Sequence, residues 1–231
     1  MNHRKPAPSN PGRRRLLTRG GALLFVATAG TLLAARPDRA DGPGRPGDDR
    51  APSGDPLASS TASTASGWMP GVIRKPLERN FVVGERDAQR GLVLHVQEGE
   101  GSLHERFSTP GIKASSHFWV SQSGETEQYV SVLDRAWAQV DGNGSWASVE
   151  TSGFTTRALT EAQVDAVSRI YVWGAGAHGW PLSISDSPHR PGLGTHAMGG
   201  TAWGGHACPG TLRADQRTEI IRRAQQHLPA T

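Results

Sequence analysis

Residues 92–96 read Leu-Val-Leu-His-Val, a run of aliphatic side chains with a single histidine inside it. Short apolar runs of this kind are typical of strands that are buried in the middle of a sheet. An imidazole in such a strand is costly to bury unless its nitrogens find partners. The run therefore predicts a central strand in which His95 is either a core histidine bonded to a backbone carbonyl or a metal ligand.

The sequence that follows this run alternates between strand and helix patterns. Three more short strands are predicted, at residues 117–120, 128–130 and 147–150. Thr160 can cap a helix, because Gln163 stands where a capping box requires it. A second helix is predicted over residues 212–227, after a Pro-Gly pair. Together these patterns predict an α/β fold with a mixed central β-sheet flanked by helices.

The N-terminal part of the chain has the composition of an export signal. Three arginines at residues 13–15 precede an apolar run from residue 20 to residue 35. This order resembles a twin-arginine signal, which we assign to residues 1–40. The apolar run is shorter than the roughly 20 residues of a stable membrane-spanning helix, which favours a cleaved signal over an uncleaved anchor. We therefore expect a secreted or cell-wall-associated protein with no stable membrane anchor.

Composition also separates a linker from a folded domain. Residues 41–67 are rich in Pro, Gly, Ser and Thr and predict a disordered linker, which leaves one domain at residues 68–231. Residues 1–50 carry ten of the 25 basic residues but only four of the 21 acidic ones, so the rest of the chain is close to neutral. Because the excess of basic residues lies outside the domain, nucleic-acid binding is not expected.

Two histidines and the sole cysteine lie close together in a glycine-rich stretch, as His196, His206 and Cys208. One cysteine in an exported chain cannot form an internal disulfide. Zinc accepts imidazole nitrogen and thiolate sulfur, and a catalytic zinc site needs only three protein ligands. From spacing alone, this stretch is either a metal site or a set of loop histidines beside a buried thiol.

Six short motifs keep one order along the chain: Leu-Val-Leu-His (92–95), Ser-His-Phe-Trp-Val (116–120) with Gln-Tyr-Val (128–130), Arg-Ala-Trp (135–137), Val-Glu (149–150), Gly-Leu-Gly-Thr-His (192–196) and Cys-Pro-Gly (208–210). In this order they resemble the N-acetylmuramoyl-L-alanine amidase family, zinc enzymes related to phage-type lysozyme amidases and peptidoglycan recognition proteins. The resemblance covers residues 68–228. It implies the fold of that family and a peptidoglycan or muropeptide substrate, in which zinc-activated water cleaves the amide between N-acetylmuramic acid and L-alanine.

The resemblance also implies a set of zinc ligands. His95, His196 and Cys208 match the ligands of the family. The interval between the last two is longer than in many relatives and contains His206, so both His196 and His206 are candidates for the second ligand. We favour His196, because a residue two positions before the cysteine stands where many relatives have a catalytic lysine.

Four other residues receive expected roles. Glu150 matches the glutamate that certain relatives use as general base, and its alternative is an ordinary glutamate on a solvated strand. His206 is expected to stabilise negative charge on the attacked carbonyl oxygen, and its alternative is a solvated loop histidine. His117 is expected to be structural or to contact substrate. Trp203 is expected to contact substrate, since aromatic faces stack on sugar rings, although packing in the core is the commoner use of tryptophan.

Two other functions compete with a zinc amidase. One is a non-catalytic peptidoglycan-binding module of the recognition-protein type, whose members lack the cysteine ligand. The other is a cysteine peptidase in which Cys208 is the nucleophile and a histidine is the base. The presence of both His95 and Cys208 argues against the first, and the Cys-Pro-Gly turn argues against the second. The sequence predicts no oligomeric state.

Overall fold

The computed structural model describes residues 66–228. The export signal predicted over residues 1–40, and the linker predicted over 41–67 except for its last two residues, lie outside the described part. Within the described part, no helix is both long enough and apolar enough to cross a bilayer.

Residues 66–228 form eight strands and four α-helices. The strands are β1 (Ile73–Arg74), β2 (Phe81–Val82), β3 (Gly91–Val96), β4 (Phe118–Val120), β5 (Thr126–Gln128), β6 (Arg135–Ala136), β7 (Ala147–Thr151) and β8 (Gly192–Thr195). The helices are α1 (His104–Ser108), α2 (Glu161–His178), α3 (Thr211–Asp215) and α4 (Arg217–Gln226), with 3₁₀ segments at Val140–Gly142 and His196–Trp203.

Six strands form one mixed sheet in the order β1-β5-β4-β7-β3-β8. All neighbouring pairs are parallel except β4 with β5, which form a hairpin. Strands β2 and β6 form a separate antiparallel pair. The sheet confirms the predicted α/β class, and β3 lies inside the sheet with every residue buried, as residues 92–96 predict.

The core lies mainly between the sheet and the pair α2 and α4. Alternate residues of a strand face opposite sides, so Leu92 and Leu94 of β3 point to these helices. Helix α2 begins at the predicted cap: Thr160 Oγ1 accepts a hydrogen bond from the Gln163 amide at 3.1 Å, and Gln163 Oε1 accepts one from the Thr160 amide at 3.1 Å. The opposite face of the sheet is left for other side chains, and it carries the site described below.

Two predicted boundaries are wrong. The second strand of the hairpin is Thr126–Gln128, earlier than the predicted 128–130, and its last register pair is Gln128 with Phe118. The predicted helix over 212–227 is two helices, α3 and α4, separated at Gln216. At this point the Gln216 side chain accepts from and donates to the backbone of Leu159, at 2.7 and 3.0 Å.

Candidate functional site

Three parallel strands bring polar side chains to one edge of the sheet. His95 is the fifth residue of β3, and its register partner on the neighbouring strand β7 is Glu150. On the other side of β3, strand β8 ends at Thr195, so His196 is the first residue beyond it. Because parallel strands end at the same edge, these three side chains lie together although up to 101 residues separate them in sequence.

Cys208 reaches this edge through the loop that precedes α3. Its Sγ accepts a hydrogen bond from the Val96 amide at 3.2 Å, and its carbonyl accepts one from the Ala197 amide at 2.9 Å. The ligand atoms of His95, His196 and Cys208 all lie within 4.8 Å of one another. Of the two histidines that compete for the second ligand position, the structure places His196 in this cluster.

Hydrogen bonds orient both imidazoles of the cluster. The Nε2 atom of His95 lies 3.2 Å from the side-chain oxygen of Gln139, and that of His196 lies 2.8 Å from the carbonyl oxygen of Trp203. Since both oxygens only accept, each Nε2 carries the hydrogen and each Nδ1 keeps its lone pair. Histidines that bind metals in proteins have the same arrangement, with the second nitrogen bonded to a fixed acceptor.

The protonation of the cluster suits a divalent cation. Burial, followed by the proximity of His196, lowers the pKa of His95 to about 3, so its ring is neutral. Burial, followed by the charge of Glu150, raises the pKa of the Cys208 thiol to about 12, so without a cation the thiolate is disfavoured. A coordinated divalent cation reverses that balance, because it stabilises the thiolate directly. Two neutral imidazoles and one thiol therefore fit a zinc ion.

Glu150 lies beside the cluster. Its Oε1 is 3.9 Å from His95 Nδ1, and its Oε2 is buried with no hydrogen-bond partner among the described residues. Burial raises the pKa of Glu150 to about 7, and the charge of Arg213 acts in the opposite direction. A carboxylate with a pKa in this range can take up and release a proton near neutral pH.

Two adjoining cavities open at the cluster. One, of about 360 Å³, contains His95, Glu150 and Cys208, and the other, of about 570 Å³, has the side chains of Trp137 and Val140 in its wall. His196 and His206 line both cavities. The ring of His206 is exposed and lies 4.9 Å from that of His196, measured between centroids. His206 is therefore at the mouth of the site and outside the cluster.

Trp203 and His117 occupy different environments. Trp203 lines the larger cavity but is only 3% exposed, packs edge-on against Trp146, and holds His196 through its carbonyl. His117 is fully buried, where its Nε2 lies 3.1 Å from the Asp134 carbonyl and its Nδ1 accepts from the Ser148 amide at 3.0 Å. Of the two roles expected of His117, the structural one agrees with this environment, because the ring is fully buried and both of its nitrogens have partners within the protein.

Two residues near the site are not identified by any sequence pattern. Gln139 is fully buried under His95, and Arg213 is buried beneath the end of β7. A polar residue in a loop and an arginine in a short helix are normally exposed, so neither carries a local pattern that marks it. Only the long-range pairing of the strands reveals their positions.

Comparisons with known proteins agree with this fold. The family model described as N-acetylmuramoyl-L-alanine amidase matches residues 85–211, more than half of the chain. Solved structures with a similar fold include a selenomethionine derivative of AmpD (TM-score 0.51, 19% identity, 67% of this chain and 96% of that chain) and the endolysin amidase LysCS from Clostridium intestinale URNW (0.51, 13%, 69% and 98%). The hydrolase AmiA from Staphylococcus aureus is also similar (0.52, 13%, 68% and 84%). A comparison with curated proteins finds no match.

Proposed function

This chain belongs to the N-acetylmuramoyl-L-alanine amidase family, and on that premise we propose that it is a zinc-dependent enzyme that cleaves the amide bond between N-acetylmuramic acid and the L-alanine of the stem peptide. The observation that carries the proposal is the convergence of His95, His196 and Cys208 within 4.8 Å beside the half-buried carboxylate of Glu150 and an open cavity. A module that only binds peptidoglycan has no need for that combination.

His95, His196 and Cys208 would hold the ion. A zinc ion with three protein ligands supplies a Lewis acid for the amide carbonyl and lowers the pKa of a water molecule to about 7. Glu150 is the proton carrier: its unpaired Oε2 accepts a proton from the attacking water and returns it to the departing amine. In the protein alone, burial raises the pKa of this carboxyl, which favours the uptake of a proton.

His206 and the larger cavity have roles in holding the substrate. The exposed imidazole of His206 lies beside that of His196 at the mouth of the site, and it donates a hydrogen bond to the carbonyl oxygen as negative charge develops on it. The cavity walls formed by Trp137, Val140 and Trp203 offer apolar surface to the sugar ring or the stem peptide. Peptidoglycan and its muropeptide fragments are the proposed substrates.

Export belongs to the same proposal. The basic segment at residues 13–15 and the apolar run from 20 to 35 have the order of a twin-arginine signal. Export would take the enzyme to the compartment that contains its substrate, as a secreted or cell-wall-associated protein. The metal cluster uses residues distant in sequence, so a pathway that carries folded proteins would suit a chain that binds its ion before export.

The direct test is product analysis. Full-length protein loaded with zinc and incubated with purified muropeptides should release stem peptides with a new L-alanine amine terminus. The Glu150→Gln variant should fold and bind zinc but turn over at least about a hundredfold more slowly, because it lacks the proton acceptor. Absence of the new terminus with the wild-type enzyme, or near-native turnover by the variant, would refute the corresponding part of the mechanism.

Inhibitors separate the amidase from a cysteine peptidase. A chelator should abolish activity and added zinc should restore it, whereas a thiol alkylator should have little effect on the zinc-loaded enzyme. The raised pKa of Cys208 supports this expectation, since the thiolate is the nucleophilic form and burial disfavours it. Activity that survives chelation and is lost on alkylation would favour the peptidase.

A further inference from the structure

We propose that Gln139 is a positioning residue for the zinc site: it fixes the ring of His95 so that Nδ1 faces Cys208 and His196. The inference rests on the proposed zinc-dependent function, and it concerns a side chain that is not itself a ligand. Three observations on the loop at residues 137–146 support it: the hydrogen bonds of the Gln139 side chain, those of its backbone, and the conformation of Val140.

The side-chain amide of Gln139 can offer His95 only an acceptor. Its nitrogen donates to the carbonyl oxygens of Trp146 and Gly142, at 3.1 and 3.4 Å. Both oxygens only accept, so the amide nitrogen must face them and the amide oxygen must face His95, at 3.2 Å. The hydrogen of the His95 ring is therefore on Nε2, and the lone pair of Nδ1 points to the cluster.

The backbone of Gln139 is fastened independently of His95. The side-chain oxygen of Asn143 accepts hydrogen bonds from the amides of Ala138 and Gln139, at 2.9 and 2.7 Å. The guanidinium of Arg86 donates a hydrogen bond to the Trp146 carbonyl at 2.7 Å. The same carbonyl accepts the hydrogen bond from the side-chain nitrogen of Gln139. The loop thus presents a preset acceptor to His95, which is what orientation of a ligand requires.

The backbone of Val140, the residue after Gln139, has a strained conformation. Its φ is +44°, and among the described residues it is the only β-branched one in the left-handed region. Its side chain is 59% exposed, so burial of the valine does not explain the conformation. Backbone strain persists where the surroundings impose it, and it is concentrated at functional sites. The contacts that hold Gln139 beneath His95 therefore also impose the strained conformation of Val140.

The test compares zinc affinities of full-length variants by competition with a chromogenic chelator. Gln139→Met keeps the length of the side chain but offers no strong acceptor, and its zinc affinity should fall about 10- to 100-fold. The matched control is Gln128→Met on β5, which also removes a fully buried, hydrogen-bonded glutamine but lies away from the cluster; its zinc affinity should be unchanged.

Two results would overturn the proposal. The first is a Gln139→Met variant that binds zinc as tightly as the wild type. The second needs no variant: ¹⁵N spectra of zinc-loaded wild-type protein should place the hydrogen of the His95 ring on Nε2, and a hydrogen on Nδ1 would contradict the inference. If the wild type itself binds no zinc, the proposed function fails rather than the role of Gln139.

Discussion

At the scale of single residues, burial sets the protonation of the site. Burial is the largest cause of the lowered pKa of His95 and of the raised pKa values of Glu150 and Cys208. All three shifts favour the neutral form, so the protein alone holds a cluster with little charge. A divalent cation that enters must displace the thiol proton, and its binding should therefore strengthen as pH rises.

His117 gives a pH dependence of stability that is separate from the metal cluster. Burial lowers its pKa to about 3 in the folded state, whereas the free imidazole has a pKa of 6.5. The unfolded chain therefore binds more protons between these values, and the contribution of His117 is complete above pH 6.5 and is lost as pH falls towards 3. The loss should reach up to about 1.4 kcal/mol per pH unit.

Comparison of wild type with His117→Gln measures this term. Glutamine can supply one donor and one acceptor in place of the two ring nitrogens, but it does not titrate. Denaturant unfolding from pH 7 to pH 4 should show a free energy of unfolding that falls more steeply for the wild type than for the variant. Parallel curves for the two proteins would show that His117 is not held neutral.

At the scale of elements, the sequence predicts those strands and helix ends that are determined by a local pattern. The apolar run at 92–96 predicts β3, and the spacing of Thr160 and Gln163 predicts the start of α2. The break at Gln216 is not predicted, because it coincides with hydrogen bonds to Leu159, 57 residues away. The sequence shows no local signal for a break that depends on such a distant partner.

Arg213 joins two elements that carry the site. Its guanidinium donates to Thr151 Oγ1 at 2.6 Å, to the Thr151 and Ser152 carbonyls at 3.3 and 3.2 Å, and to the Arg157 carbonyl at 3.0 Å. Thr151 Oγ1 in turn donates to the His95 carbonyl at 2.5 Å. This chain of hydrogen bonds connects α3 with the ends of β7 and β3.

Removal of the guanidinium should destabilise the fold. Arg213→Met removes a buried guanidinium together with its four hydrogen bonds and should lower the free energy of unfolding by about 2–4 kcal/mol, measured by denaturant unfolding of zinc-loaded protein. Arg222→Met on α4 is the matched control, because that arginine is exposed and, among the described residues, pairs only with Glu219, so the unfolding midpoint should hardly move. Equal effects of the two substitutions would contradict the role assigned to Arg213.

At the scale of the whole molecule, the site joins three distant parts of the chain. The sequence predicts the three clustered residues, because the order of the motifs identifies a family whose ligands can be transferred position by position. It leaves His117 between a structural role and substrate contact, and it overlooks Gln139, because the roles of both follow from contacts with residues that are distant in sequence. The residues that form the cluster lie in recognisable motifs. The residues that orient their side chains do not, because their positions depend on how the sheet is assembled.

Zinc content tests the central claim most directly. We predict one zinc ion per chain in the purified full-length protein and in His206→Ala, and loss of the ion from His196→Ala, because only His196 belongs to the cluster with His95 and Cys208. The two histidines have neighbouring rings, so each variant controls for the other. A full equivalent of zinc in His196→Ala, or a wild-type protein that takes up none, would contradict the account.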